Sequence, residues 1–211
     1  TAGQTQGGAT WRHRFADHGV LSDSVLTAYA GQRDVTQWQS IAPAVQANPR
    51  HPGGVIDLGR DYSGIDARLA WRWDHASLIA GVATEQQSED RRGFENFVGS
   101  GDDRVLGVTG ALRRDESNSV RSSDLYLQGE IDLASTWRAV AGLRSGRLRV
   151  KTTDQYLSNG DDSGTLSYGY NTPVLALQWL PAPGLNLYVS AGQGFESQTL
   201  NELASRTDGG T

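Results

Sequence analysis

The chain has no cysteine, no methionine, a single lysine beside eighteen arginines, and no apolar run near the roughly 18 residues that a membrane helix needs. Without cysteine there is neither a disulfide framework nor a thiolate metal site, although the compartment does not follow from that absence. Without methionine, initiation lies elsewhere, and the chain is expected to be a processed or excised piece. The lack of an apolar helix leaves a membrane barrel open, because a spanning strand needs only about 9 to 11 residues, half of them apolar. The net charge is −5 and the arginines are interspersed with acids. No basic block suggests a nucleic-acid partner. At 211 residues, 37% hydrophobic and with 26 glycines, the composition fits one folded domain better than a disordered chain.

What is present is alternation. Ile65, Ala67, Leu69, Trp71 and Trp73 interleave with Asp66, Arg68, Ala70, Arg72 and Asp74. The same period of two recurs where Leu125, Leu127, Ile131 and Leu133 oppose Asp124, Tyr126, Gln128, Glu130 and Asp132. It appears again around Leu175, Leu177 and Trp179, and where Leu185, Leu187, Val189 and Ala191 oppose Asn186, Tyr188, Ser190 and Gly192. Successive strand side chains point to opposite faces, so each run has one apolar and one wet face. Eight strands are predicted, at about 10–15, 24–38, 55–73, 77–86, 123–133, 137–151, 165–180 and 185–195. Leu125, Leu127, Ile131, Leu175, Leu177, Leu187 and Val189 should share the outward face. Tyr126, Gln128, Glu130, Asn186 and Tyr188 should share the other.

Alternation alone also fits the half-buried strands of a soluble sandwich. Connection lengths distinguish the two. Tight turns fall at 74–76, 134–136 and 181–184, whereas 39–54, 87–122 and 152–164 read as long polar links. Short turns on one side and long loops on the other are the habit of outer-membrane barrels. Trp71, Trp73, Trp137 and Trp179 flank the tight turns, where they would form an aromatic girdle at one membrane interface. The expected fold class is therefore all-β, an antiparallel transmembrane barrel segment of about eight strands. On this reading both chain ends fall on the long-loop side, which suits an internal segment of a larger barrel better than a closed small one.

The run from Gly194 through Phe195, Glu196, Ser197, Gln198, Thr199, Leu200, Asn201, Glu202 and Leu203 resembles the G-F-x-x-P-T-x-N-E-L segment of TonB-dependent outer-membrane receptors, with Gln198 where that family usually has proline. The stretches 93–99, 106–116, 124–131 and 137–144 look like successive barrel segments of the same receptors. The resemblance implies residues 1–211 to be part of a 22-stranded barrel whose plug domain, signal peptide and C-terminal strands lie outside this chain. It implies a receptor for a ferric siderophore or related iron complex, energised by the inner-membrane TonB complex pulling on the plug, in contact with outer-membrane lipid. No catalysis and no resident cofactor are implied. The rival readings are a passive porin or adhesin barrel, and a secreted soluble β-domain that binds carbohydrate or protein.

Ferric complexes are often anionic and carry aromatic or hydroxamate groups, so a receptor mouth should offer arginines and aromatic rings. Arg91, Arg92, Phe94 and Phe97 in the 87–122 link are candidates, with Arg113 and Arg114, and with Tyr156, Tyr168 and Tyr170 beside the next link. The plainer account is that long loops are polar and that these arginines pair with Asp90, Glu95, Asp115 and Glu116. The row Asp66, Arg68, Arg72, Asp74, Glu130, Asp132, Arg138 and Arg144 should face the lumen, where charges pair across strands in any wet barrel. Gly192-Gln193-Gly194 opens no helix pattern and is not a nucleotide loop. The acidic turns at 99–103 and 159–164 lack the ligand spacing of a calcium loop, and His13, His18, His51 and His75 are too dispersed for zinc.

Overall fold

The computed structural model describes residues 1–15 and 19–197, so His18 and the 198–203 part of the motif lie outside the described residues. The strands in chain order are β1 (Ala2–Arg14), β2 (Leu21–Trp38), β3 (Val55–Arg72), β4 (Ala76–Phe94), β5 (Phe97–Val98), β6 (Val105–Leu106), β7 (Leu112–Ala134), β8 (Trp137–Asp154), β9 (Gly164–Ala182) and β10 (Leu185–Gly192); one short helix, α1 (Pro43–Gln46), follows β2. Eight of them form one antiparallel sheet in the order β1-β2-β3-β4-β7-β8-β9-β10, and β5 pairs with β6 in a separate hairpin. Every neighbour in the large sheet is a neighbour in sequence, interrupted only by that hairpin. This is an up-and-down meander.

Register places the two faces as the alternation requires. Leu127 lies opposite Ala80 on one side and Leu143 on the other, and Ile131, Ala139, Leu177 and Val189 fall in one row. Leu125 shares their face opposite Val82, as does Leu187 opposite Trp179. Tyr126 opposes Arg144, and Glu130 opposes Val140, on the reverse face. Among the described hydrophobic residues only Val25, Val55 and Val150 are buried, while Leu125, Leu175 and Val189 are 63%, 63% and 66% exposed. A soluble sandwich hides such side chains between two sheets. Here a single sheet presents them as a continuous belt, which water would penalise and lipid would cover.

The short turns all lie at one end: β3 to β4, β7 to β8, and β9 to β10, where Gly184 takes a φ of +82°. Trp137 lies opposite Trp179 at that end, and their rings stack at 5.6 Å. The other end carries the links 39–54, 95–111 and 155–163. The 87–122 link is not a structureless loop: β4 continues to Phe94 and β7 begins at Leu112, leaving only 95–111, which itself holds the β5–β6 hairpin and a 3-10 turn over Gly101–Asp103. Likewise β1 begins at Ala2 rather than near residue 10.

On the polar face, four tyrosines cross four glycines. Tyr29 lies opposite Gly64, Tyr62 opposite Gly31, Tyr126 opposite Gly81 and Tyr170 opposite Gly146. A Cβ on any of these glycines would collide with the ring that covers it. Each ring thereby spans the adjacent strand and hydrogen-bonds two strands away. Tyr29 reaches Glu85, Tyr62 donates to Gln6 Oε1 at 2.8 Å, Tyr126 donates to Asp66 Oδ2 at 3.0 Å, and Tyr170 reaches Asp124. A ring over a glycine covers exposed backbone and pins register.

Candidate functional site

The loop end of the polar face is assembled by two links that clasp each other. Gln46 at the end of α1 is fully buried. Its Nε2 donates to Ile41 O at 2.8 Å and to Asn96 Oδ1 at 2.7 Å, while Asn96 Nδ2 donates to Gln39 O at 2.9 Å. Gly53, with a φ of +91°, lets the 39–54 link pass against the backbone of Phe94, and Gly54 N donates to Phe94 O at 2.8 Å. Arg113 completes the clasp by donating to Asn48 O at 2.6 Å and pairing with Glu95 at 3.2 Å. Burial lowers the His51 pKa, and Arg113 and Arg114 lower it further; its Nδ1 accepts from Gly53 N at 3.0 Å.

Beneath the clasp lies a charged ladder. Arg91 opposes Glu116 across β4 and β7, Arg114 pairs with Glu116 at 3.0 Å, and Arg60 pairs with the buried Glu89 at 2.5 Å. These groups lie well past the 9 to 11 residues that cross lipid, counted up from the short turns. Burial raises the Glu116 pKa against the opposing pull of Arg114 and Arg91, and burial lowers that of Arg91 beside Arg114. Farther down, a hollow of about 470 Å³ is lined by Gln4, Gln6, Tyr29, Arg33, Arg60 and Tyr62 among others. Toward the other edge, Arg144 donates to Asp124 at 2.7 Å, and Tyr170 stacks on Phe195 with centroids 4.2 Å apart.

The candidate residues are only partly brought together. Arg91 and Arg114 belong to the polar-face ladder, and Tyr168 and Tyr170 lie on the same face of β9 opposite Leu148 and Gly146. Arg92 falls in the row of Asp57 and Asp115, on the opposite face, and is 3.8 Å from Asp115. Phe94 ends β4 opposite Val55 and Leu112. Phe97 sits in the β5–β6 hairpin with the Arg104 guanidinium 4.9 Å over its ring. Tyr156 follows β8 and donates its backbone N–H to Asp154 at 2.9 Å. Arg92, Arg113 and Arg114 each have an acidic neighbour, Asp115, Glu95 and Glu116 respectively.

Sequence reasoning missed Gln46, Asn96, Arg60, Glu89 and the tyrosine–glycine pairs. Cross-strand register and, for Gln46 and Asn96, the packing of the two links join them, and no local spacing marks them. In the lumen row, Arg138 pairs with Glu130 at 3.1 Å and Asp132 at 2.8 Å, as expected of charges pairing across strands. Among the described residues no three His, Asp or Glu side chains gather to hold a metal ion. The arrangement offers guanidinium groups and phenol rings to a soluble anion.

A family model described as TonB dependent receptor-like, beta-barrel, matches residues 1–211. Among solved structures, the copper transporter OprC superposes with a TM-score of 0.69 at 17% identity, over 90% of this chain and 29% of that one. The siderophore receptor PiuA from Acinetobacter baumannii gives 0.69 at 15% identity, over 90% of this chain and 32% of that one. The ferric citrate transporter FecA in its unliganded form gives 0.63 at 14% identity, over 89% and 27%. The chain spans less than a third of the length of these proteins, and at such identities they share its fold.

Proposed function

Because the chain belongs to the TonB-dependent receptor-like β-barrel family, an outer-membrane family of transporters and not of enzymes, we propose that its parent protein binds a ferric siderophore or related iron complex outside the cell. It admits that complex through the barrel, driven by the inner-membrane TonB complex acting on a plug domain encoded elsewhere in the parent. In this orientation the short turns are periplasmic, the 39–54, 95–111 and 155–163 links are extracellular, the apolar face meets lipid and the polar face lines the lumen.

The observation that carries the reading is the placement of Arg91, Arg114, Tyr168 and Tyr170 on one and the same face, the lumen side, of strands that reach beyond the membrane. A negatively charged iron chelate entering there meets guanidinium groups able to bind bidentately and rings able to stack. Phe97 and Arg104 on the 95–111 link extend the same chemistry outward. The solved relatives named for siderophore, ferric citrate and copper transport support a metal-complex cargo. A passive porin would not be expected to need the clasp that holds these links.

The test uses the intact parent on cells, with equilibrium binding of radio-iron complexes of a catecholate, a hydroxamate and citrate at matched amounts of heat-modifiable barrel. One class should bind saturably. Arg91→Lys with Arg114→Lys keeps the charge facing Glu116 but removes the guanidinium fork, and should weaken that binding by about tenfold or more, equivalent to about 1.4 kcal/mol. Arg92→Lys on the opposite face should leave it unchanged. Binding of none of the three complexes, or equal loss in both variants, would overturn the assignment.

A further inference from the structure

Three of the arginines and the one lysine gather on the outside of the folded sheet. Arg147, Arg149 and Lys151 occupy alternate positions of β8, and Arg121 of β7 lies directly opposite Arg149. All four share the face of Leu127 and Leu143, and all four side chains are exposed. Among the described residues none of them enters an ion pair or a side-chain hydrogen bond. The carboxylates of that face are placed elsewhere. Asp90 lies one row nearer the loops and accepts from Ser117 at 2.7 Å, Asp115 faces Arg92, and Asp61 shares the row of Lys151 three strands away.

Height on the wall decides what such a patch can meet. Arg147 stands about ten residues up β8 from Trp137, and about 9 to 11 tilted residues cross the hydrocarbon. On β8 the apolar positions of this face end at Leu143, and on β7 at Leu125 opposite Ser145, so Arg147 sits at the upper boundary and Arg149 and Lys151 stand among headgroups. Arg121 and Arg149, directly opposite, repel each other across the ladder in the absence of an anion. The three cations on β8 cover about 13 Å of strand, a span that suits two phosphates better than one. Beside Arg121 the small residues Gly7, Ala28, Ala30 and Ser63 leave a hollow of about 820 Å³ on the same face, in the cross-strand rows of Arg149 and Arg147, room for part of a lipid beside the charge.

We propose that Arg121, Arg147, Arg149 and Lys151 form a docking site on the barrel's outer wall for the phosphate-bearing headgroup of an outer-leaflet lipid. The site rests on the outer-membrane orientation given above, and it is separate from the lumen residues that serve the iron complex. Its role is to anchor the wall at a fixed depth and to neutralise a like-charge pair that the sheet alone leaves unbalanced.

The experiment places the intact parent receptor in phosphatidylcholine nanodiscs and titrates a diphosphorylated glucosamine-disaccharide lipid against its dephosphorylated counterpart, reading bound lipid by native mass spectrometry. The phosphorylated lipid should bind at least about tenfold more tightly, with the preference shrinking as salt rises. Replacing all four residues, as Arg121→Gln, Arg147→Gln, Arg149→Gln and Lys151→Gln, should erase the preference, whereas Arg92→Gln should retain it. If the quadruple variant loses heat-modifiability, Arg149→Gln alone, which removes the opposed pair, should still reduce the preference several-fold. Equal binding of the two lipids by the wild type, or an unchanged preference in the folded variants, would overturn the site. Iron-complex binding is read on the same samples, so its absence with the lipid preference intact would sink the uptake reading and leave this one standing.

Discussion

Each of the four tyrosine–glycine pairs joins three strands through one side chain. Tyr126 illustrates the logic: its ring lies where Gly81 has no side chain, and its hydroxyl reaches Asp66 on β3. A Val at position 81 would occupy the space of the ring and break that hydrogen bond. Gly81→Val in the intact parent should therefore cost about 2 kcal/mol, while Tyr126→Phe, which keeps the ring and loses only the hydroxyl contact, should cost about 1 kcal/mol. Unfolding titrations of both variants in bilayers check the order. Equal stability of Gly81→Val and wild type would show that the ring has no need of the glycine.

Among the elements, the 39–54 link carries a pH-dependent contact. The neutral His51 accepts the Gly53 N–H, and burial together with Arg113 and Arg114 holds its pKa below the ordinary value of 6.5. A base whose folded pKa is lowered binds its proton less readily when folded. The stabilisation is therefore fully present above 6.5 and is lost as pH falls from there toward the folded pKa. Proteolysis of this link in the folded parent should quicken across that interval, relative to cleavage of the 155–163 link as an internal reference. His51→Asn retains an acceptor without a titrating group and should flatten the dependence; an identical acid response in that variant would remove His51 from the account.

At the scale of the whole molecule, one sheet separates two environments, and the two faces respond oppositely to charge. Leu127 lies in the belt between Ala80 and Leu143, whereas Gln128 on the next position opposes Gly142 on the lumen face. Leu127→Arg in the intact parent should destabilise the barrel by roughly 2 to 4 kcal/mol near the bilayer midplane, and Gln128→Arg should be tolerated far better. Unfolding free energies of the two variants in bilayers of defined thickness decide it. Matching values would place Leu127 away from lipid.

The alternation determined the strands and their facing, because lipid on one side and water on the other impose a period of two, and the connection lengths in the sequence put the short turns on one side. Ile65 to Trp73 and Leu125 to Leu133 show it residue by residue. Past the lipid that requirement ends. Positions 87–94 and 112–122 are largely polar on both faces and continue as strand because they pair with each other and with β3 and β8, which satisfies their backbone hydrogen bonds, so the sequence read as loop what the sheet built as wall. The contacts that span several strands were decided by tertiary structure alone. Arg121 meets Arg149, Gln46 meets Asn96 and Tyr170 meets Asp124 through register and the packing of links, across sequence separations that no local pattern records.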